Sequence, residues 1–434
     1  MLVQSDAYMN RILCFPAAGV ALLVFLTPPA RCQPLSFVPF HATGIYRLGE
    51  KAGWSVSVAK DAPAAKYTYE IKKNNFDTIK TGTLDFSGGA ATIETSLQEP
   101  AMLYVTVNAE GAPPSAAVHL GAAIAPTQLK PSQPKPPDFD AFWMNKLEYL
   151  SITPMRPVID PVKTEQPGVE LSTVQLDSYG TRVHGYLAKP IKLGKFPAII
   201  IYQYAGVYAL QPKTVTDRAA EGWLAFDVDS HDMLPNQSAG VPPNYQVMGD
   251  TNREMSYFLF MYLRAARAVD YICSRPDWDG QTLVVMGTSM GGQQSLVAAS
   301  IRAQQVTAVI VNEPSGADMD GELHGRQSGY PNLPSRDPRV MATAPYFDVV
   351  NFTSSIKAPV LAAMGFIDTT APPAGIWTAI DQIPGPKEAV PMVESDHNNI
   401  TPDKQEAFHK REQEVLNTLL HGGAFVPNQE FTRK

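Results

Sequence analysis

The sequence has few cysteines and no excess of basic residues. Three cysteines among 434 residues exclude a small fold held together by several disulfides. Lysine and arginine together number 35 against 42 aspartates and glutamates, which gives a formal net charge of −7. We expect no nucleic-acid partner, because a protein needs clustered basic side chains to neutralise phosphates. The histidines and cysteines show no spacing typical of metal ligands, so we predict neither a metal nor a cofactor.

Long apolar runs are also missing, with one exception near the N-terminus. There Arg11 is followed by ILCFPAAGVALLVFL and then by the small residue Ala30. A positive flank, a short apolar run and a small residue are typical of a secretory signal peptide, here residues 1–32. Pro16 breaks the run, which is short for a bilayer span and therefore argues against a retained anchor. We predict a secreted or periplasmic protein without a membrane partner, in which cleavage after Cys32 leaves a single cysteine.

The length favours two domains, and the chain changes character along its length. Residues 35–125 contain short runs rich in Val, Thr, Tyr and Ile, which alternate in polarity between turn residues. This pattern predicts a small all-β sandwich of immunoglobulin-like type, acting either as a packing module or in sugar binding or oligomer spacing. The proline-rich residues 126–137 are typical of an extended linker or of a strap along the second domain. In residues 138–430 strands alternate with helices, which predicts a mostly parallel sheet with helices on both faces.

A Gly-x-Ser-x-Gly pentapeptide spans residues 287–291, and its serine is Ser289. The apolar run LVVMG leads into it, and a helical pattern follows. Such a strand–turn–helix corner is typical of the nucleophile elbow of α/β-hydrolases, where it exposes the serine hydroxyl at the end of the sheet. The alternative is a tight structural turn with an idle serine. The context predicts an α/β-hydrolase fold with Ser289 as the nucleophile.

A serine nucleophile needs a base, and the base needs an acid that orients it. In α/β-hydrolases both follow the serine, the acid first. Asp368 ends the apolar run VLAAMGFID, and His397 follows the short run VPMVES. We predict that Asp368 and His397 complete a triad with Ser289.

Other residues compete for the two roles. The competing histidines lie in a polar loop or in the last predicted helix, and they are His324, His409 and His421. Among the acids, we expect Glu394 to lie within a strand and Asp396 to point away from the adjacent histidine. These placements favour Asp368 and His397.

The reaction also needs two backbone donors for the oxyanion. The N–H of Met290 opens the helix beside the serine, and Tyr204 follows the buried run AIIIY. We predict an oxyanion hole formed by the backbone N–H groups of Tyr204 and Met290. Their side chains and that of Tyr208 are expected to add bulk near the acyl group.

From residue 138 to residue 423 the chain resembles the acetyl xylan esterase and cephalosporin C deacetylase family, carbohydrate esterase family seven. The resemblance rests on DFDAFWMNKLEYLSITPMRPVI, YLRAARAVDYICSRPDWDG, the elbow GTSMGG, the acid loop GFIDTTAPP and DHNN around the histidine. The family's tyrosine oxyanion donor corresponds to Tyr204. The resemblance implies a secreted serine esterase acting on acetylated carbohydrate such as xylan, with no cofactor. Because the family often forms rings, it also allows a homo-oligomer of unspecified size.

Two departures from the family pattern bear on specificity. Met290 replaces the family's Gln after the nucleophile, and Asp229, Ser230 and His231 stand where the family has Arg-Gly-Gln. For His231 two placements stay open, at the mouth of the site or, as is more common for a lone loop histidine, in solvent, and we expect the second. Two alternative functions stay open. One is a serine peptidase of the prolyl-oligopeptidase type, and the other is a non-catalytic carbohydrate-binding protein on a hydrolase scaffold.

Overall fold

The computed structural model describes residues 34–60, 65–428 and 430. The predicted signal peptide lies outside these residues. Within them, no helix combines the length and the apolar character that crossing a bilayer requires. The one cysteine of the described part is Cys273, which is a free thiol.

The N-terminal part, residues 35–124, consists of two sheets and is called the two-sheet region below. Its strands are β1 (Leu35–Pro39), β2 (Ile45–Tyr46), β3 (Ala52–Val58), β4 (Tyr67–Lys73), β5 (Asp77–Thr83), β6 (Ala91–Thr95), β7 (Ala101–Ala109) and β8 (Val118–Ile124). One sheet has the order β1-β3-β6 and the other the order β2-β8-β7-β4-β5. Alternate side chains of each strand point inward, and those of the two sheets, such as Trp54 and Leu103, share one apolar core.

The rest of the chain, residues 139–420, folds around a nine-stranded sheet and is called the nine-stranded region. Its strands are β9 (Val158–Val162), β10 (Val169–Ser178), β11 (Thr181–Pro190), β12 (Phe196–Tyr202), β13 (Leu224–Val228), β14 (Trp278–Thr288), β15 (Ala308–Asn312), β16 (Val360–Gly365) and β17 (Lys387–Met392). The sheet order is β17-β16-β15-β14-β12-β13-β11-β10-β9. The six strands from β17 to β13 run parallel, and β11, β10 and β9 are antiparallel to their neighbours. The predicted mostly parallel sheet is confirmed.

Helices cover both faces of this sheet, as expected for parallel strands joined by crossovers. They are α1 (Phe139–Ile152), α2 (Pro212–Glu221), α3 (Tyr257–Ser274), α4 (Met290–Ile301), α5 (Pro338–Thr343), α6 (Val350–Thr353), α7 (Pro373–Asp381) and α8 (Glu406–Leu420). Short 3-10 turns occur at Pro114–Ala116, Pro126–Gln128, Tyr245–Val247, Gly321–His324, Ala344–Tyr346 and Pro402–Gln405. In β12, Ala198 and Ile200 face the core under α3 and α4, whereas Ile199 faces the core under α2 and α8.

Helix α1 begins one residue after Asp138, but the carboxylate of Asp138 does not cap it. The carboxylate instead accepts hydrogen bonds from Arg253, at 2.7 Å, and from the Tyr346 hydroxyl. The indole N–H of Trp143 donates to the Tyr346 carbonyl at 2.9 Å. These bonds fasten the start of α1 to the segments that precede α3 and α6.

The two-sheet region packs directly on the loop that follows β16. Met102 and Ala123 belong to the larger core of the nine-stranded region. Gly121 lies so close to this loop that a Cβ there would be 2.5 Å from the Phe366 carbonyl oxygen. Only glycine fits at that distance, and the loop it touches continues directly to Asp368.

Candidate active site

Ser289 lies at the corner between β14 and α4, at the carboxyl end of the parallel strands. Its backbone has φ 56° and ψ −123°, a left-handed conformation that costs a non-glycine residue roughly 1–3 kcal/mol. A Cβ on Gly287 would lie 2.5 Å from the Gly291 carbonyl carbon, and a Cβ on Gly291 would lie 2.1 Å from the Tyr202 carbonyl oxygen. Both glycines of the motif are therefore needed to bring α4 this close to β14 and β12.

Three side chains form a continuous hydrogen-bond chain at this corner. The Ser289 hydroxyl and His397 Nε2 are 2.8 Å apart, and His397 Nδ1 and Asp368 Oδ2 are also 2.8 Å apart. With the proton on Nδ1, the imidazole donates to Asp368 and accepts from Ser289. The other oxygen of Asp368 accepts from the backbone N–H groups of Thr370 and Ala371, at 2.7 and 2.8 Å. The structure thus brings together the three residues predicted for the triad.

The environment of His397 favours its cation. Burial lowers the pKa of its imidazole, but the hydrogen bond to Asp368 and the nearby negative charges outweigh burial and raise the pKa above the ordinary 6.5. Those charges belong to Asp368, Glu313 and Asp396. A histidine in this setting can accept a proton from Ser289 and hold it while a tetrahedral intermediate exists.

The competing residues serve elsewhere. Asp396 accepts from the backbone N–H groups of Asn398 and Asn399 and so shapes the turn that carries His397. Glu394 lies in a turn two residues after β17, so the expectation that it falls within a strand is wrong. The three competing histidines have other partners. His324 contacts Asp320, His409 contacts Glu412, and His421 bonds the Asn417 carbonyl.

Sequence reasoning missed one acid at this site. Glu313 follows β15 directly, is wholly buried, and places Oε2 3.8 Å from His397 Nδ1. Burial and the charge of Asp368 raise the pKa of its carboxyl to about 8. Glu313, Asp368 and His397 each offer a ligand-type atom within 4.8 Å of the others, but His397 and Asp368 already use theirs on each other. The sequence did contain a signal for Glu313, because in VIVNEP this acid directly follows an apolar strand.

The predicted oxyanion donors lie at the expected ends of their elements. Met290 is the first residue of α4, and Tyr204 follows the last residue of β12 by two positions. Among the described residues, neither N–H donates a hydrogen bond to another protein group. Tyr204 is 55% exposed, and its ring stacks on that of Tyr208 at a centroid distance of 4.6 Å. Their assignment as oxyanion donors stays a prediction.

The Met290 side chain is fully buried beside the nucleophile. Its sulfur accepts from the Tyr330 hydroxyl at 3.2 Å and from the Tyr245 hydroxyl at 3.5 Å. The Tyr330 hydroxyl also lies 3.1 Å from that of Tyr245. Two tyrosines and a methionine therefore close the space on this side of Ser289.

His231 is buried, so the expectation that it is solvated is wrong. Burial lowers the pKa of its imidazole to about 4, so the ring is neutral at physiological pH. It donates to the Gly206 carbonyl at 2.9 Å and accepts from the Tyr257 hydroxyl at 2.5 Å. The Gly206 N–H in turn donates to the Tyr245 hydroxyl at 3.0 Å. His231 thereby fixes the loop that carries Tyr204.

The comparison with protein families gives a match over most of the nine-stranded region. The model described as acetyl xylan esterase (AXE1) matches residues 126–415. The acetyl esterase Axe7A of Xylanibacter ruminicola is 30% identical over 374 residues, which cover 81% of this chain and 84% of that protein.

Solved structures give the same fold. The acetyl xylan esterase from Paenibacillus sp. R4 superposes with a TM-score of 0.58 and 24% identity, covering 67% of this chain and 98% of that one. Acetyl xylan esterase 1 from Thermoanaerobacterium sp. JW/SL YS485 superposes with a TM-score of 0.57 and 21% identity, covering 65% of this chain and 96% of that one. The predicted α/β-hydrolase fold is confirmed.

Proposed function

The chain belongs to the acetyl xylan esterase family, and from this premise we propose that it is an exported serine esterase that removes acetyl and other short acyl groups from carbohydrates. Family membership identifies a carboxylic ester hydrolase of the serine type. The peptidase and the non-catalytic binding protein are therefore set aside. Export follows from the predicted signal peptide, and the carbohydrate substrate from the family and from the printed names of the relatives.

The observation that carries the mechanism is the unbroken hydrogen-bond chain from Asp368 through His397 to Ser289. In the proposed reaction the Ser289 oxygen attacks the ester carbonyl carbon while its proton passes to His397 Nε2. The imidazolium then gives this proton to the sugar oxygen as the C–O bond breaks, leaving an acyl-enzyme. A water molecule, deprotonated by the same nitrogen, releases the acid and restores Ser289.

The oxyanion of each tetrahedral intermediate needs donors that are already in place. The Met290 N–H lies at the N-terminus of α4, where the helix dipole also favours negative charge. The Tyr204 N–H is the second proposed donor. Its loop is held by two buried contacts, because His231 bonds the Gly206 carbonyl and the Gln203 side-chain amide donates to the Tyr208 carbonyl at 3.0 Å.

The preference for short acyl groups follows from the surroundings of Met290. Its side chain is fully buried between the hydroxyls of Tyr245 and Tyr330. A longer acyl chain would have to displace packed side chains, and overpacking costs roughly 1–3 kcal/mol. Methionine is pliable, so propionyl esters should be accepted nearly as well as acetyl esters.

Two measurements on the purified protein test this function. Acetylated xylo-oligosaccharides should release acetate, whereas peptide p-nitroanilides should not be cleaved. Over p-nitrophenyl acetate, butyrate and octanoate, kcat/KM should fall by about 5-fold to 160-fold in total, as the overpacking energy of roughly 1–3 kcal/mol implies. Rising kcat/KM toward octanoate would contradict the short-acyl preference, and absence of ester hydrolysis would contradict the proposed function.

A further inference from the structure

Glu313 occupies a position between the two strands that supply the rest of the triad. It follows β15, whose neighbours are β14, leading to Ser289, and β16, leading to Asp368. Its backbone N–H donates to the Ala363 carbonyl of β16 at 3.0 Å. A Cβ at Gly365 would lie 2.6 Å from Glu313 Oε1. A glycine at the end of β16 therefore leaves the space that this carboxyl fills.

One oxygen of Glu313 is held firmly, and the other is left for His397. Oε1 accepts from the Ser395 hydroxyl at 3.0 Å, and Ser395 in turn accepts from the Gln405 side-chain amide at 3.0 Å. The Asn312 amide donates to the Gln405 side-chain oxygen at 3.0 Å. Among the described residues, Oε2 is buried and has no hydrogen-bond partner.

Burying the Glu313 carboxyl in this way costs free energy of folding, which a functional role would explain. A buried polar atom without a partner costs roughly 1–3 kcal/mol, and Glu313 also has φ +46°, in the left-handed region. Oε2 lies 3.8 Å from His397 Nδ1, while Asp368 Oδ2 lies 2.8 Å from the same nitrogen. Two carboxyl groups from neighbouring strands thus face one imidazole N–H.

We propose that Glu313 is a second acid of His397, a positioning residue that stabilises the imidazolium and can hold the Nδ1 proton in place of Asp368. This inference rests on the proposed triad. The proton on Nδ1 stays there throughout, and only the proton on Nε2 moves to and from the substrate. Glu313 therefore acts through His397 and touches no reacting atom.

The charges around the pair set the expected pH effect. The charged groups near His397 are Asp368, Glu313 and Asp396, and those near Glu313 are Asp368 and His397. A cation on His397 favours the ionised form of Glu313, and ionised Glu313 favours that cation. Burial and Asp368 raise the pKa of Glu313 to about 8, so its charge is present only on the alkaline side. We therefore expect kcat of wild type to rise as pH increases through about 8, and this rise should be missing in Glu313→Gln, which cannot ionise.

The experiment compares wild type, Glu313→Gln, Asp368→Asn and the double variant on p-nitrophenyl acetate. At pH 9, where Glu313 is ionised in wild type, we expect Glu313→Gln to lower kcat about 5-fold to 20-fold with KM unchanged, and to lack the rise of kcat through about pH 8. Asp368→Asn should cost roughly 10²-fold rather than the 10⁴-fold typical of a triad with a single acid. The double variant should lose more than the product of the two single losses, because each acid compensates for the other.

Asp227→Asn is the matched control. Asp227 is another buried carboxyl whose pKa burial raises, to about 8, but it lies on β13 and makes no bond to the triad. This substitution should leave kcat, KM and the rise of kcat through about pH 8 unchanged. Multiplicative losses in the double variant, or a rise of kcat through about pH 8 that persists in folded Glu313→Gln, would overturn the inference. If Glu313→Gln does not fold, a 10⁴-fold loss in Asp368→Asn alone would overturn it. Activity that survives in Ser289→Ala would instead contradict the proposed function.

Discussion

The two-sheet region and the nine-stranded region bury different kinds of side chains. In the described residues of the two-sheet region, every buried residue is apolar, aromatic or glycine. The nine-stranded region buries many ionisable groups, among them Asp227, Asp229, Arg264, Glu313 and Asp368. Burying such groups costs free energy unless they are paired or used. Several of them lie at the carboxyl ends of β13, β15 and β16, where an α/β sheet presents its active residues.

The two regions nevertheless meet at the site. Tyr104 of β7 has its pKa raised to about 12 by burial and then by the charges of Asp396 and Asp368. The two-sheet region thus contacts the acid loop, while the nine-stranded region carries the proposed triad. The following predictions test this division.

The largest effect should come from the nucleophile. Ser289→Ala removes the attacking oxygen, so esterase activity should fall on the order of 10³-fold or more while the fold is kept. Ser295→Ala is the control, because Ser295 is a buried serine of the adjoining helix α4, and its hydroxyl only donates to the Gly291 carbonyl, at 2.8 Å. Steady-state rates with p-nitrophenyl acetate check both, and turnover in folded Ser289→Ala would refute the assignment.

Substitution of Asp368 and substitution of Asp396 should lower the activity to clearly different extents. Asp368→Asn should cost about 10²-fold in kcat, because it removes the hydrogen-bond partner of Nδ1. Asp396→Asn should cost only a few-fold, because its carboxylate bonds the turn and not the imidazole. If the two variants lose equal activity, or Asp396→Asn loses more, the acid has been assigned to the wrong residue.

A substitution in the two-sheet region should reach the site through packing. Gly121→Ala puts a methyl group where a Cβ would be 2.5 Å from the Phe366 carbonyl oxygen, so the loop bearing Asp368 must shift. We expect kcat to fall roughly 3-fold to 10-fold, since small misplacements of catalytic groups are costly. Gly88→Ala is the control, because nothing lies within 4 Å of a Cβ there. Unchanged kcat in Gly121→Ala would mean that the two regions are functionally independent.

The smallest effect concerns stability and pH. Burial raises the pKa of Asp227 to about 8 from the ordinary 3.8. The folded protein is therefore most stable when this carboxyl is protonated at low pH, and this stability is lost as pH rises from about 4 to about 8. Asp227→Asn should therefore raise Tm relative to wild type at pH 9 but not at pH 4, by about 2–4 °C per kcal/mol.

Asp337→Asn gives the contrast for this measurement. The hydrogen bonds from Arg339 lower the pKa of Asp337 to about 2, so removing its charge should give no gain in Tm at pH 9. A Tm difference for Asp227→Asn that is the same at both pH values would show that the buried carboxyl does not titrate as described.

The local patterns of the sequence determined the fold class and the three residues of the proposed triad. Alternating apolar runs and helical patterns predict a parallel sheet because each element is set by neighbours in sequence. Ser289 could be found because a glycine-flanked serine between a strand and a helix is a local feature. Asp368 and His397 could be placed because acids and bases of this fold follow the ends of successive strands.

Only the tertiary structure decided how distant residues share the site. The position of Glu313 beside His397 depends on the register of β15 against β16 and on the space left by Gly365. The burial of His231 and Met290 depends on tyrosines from other segments of the chain, namely Tyr257, Tyr245 and Tyr330. The contact of Gly121 with the acid loop depends on how the two regions pack. These arrangements are invisible to a sequence pattern because they arise from strand register and side-chain packing between segments far apart in the chain.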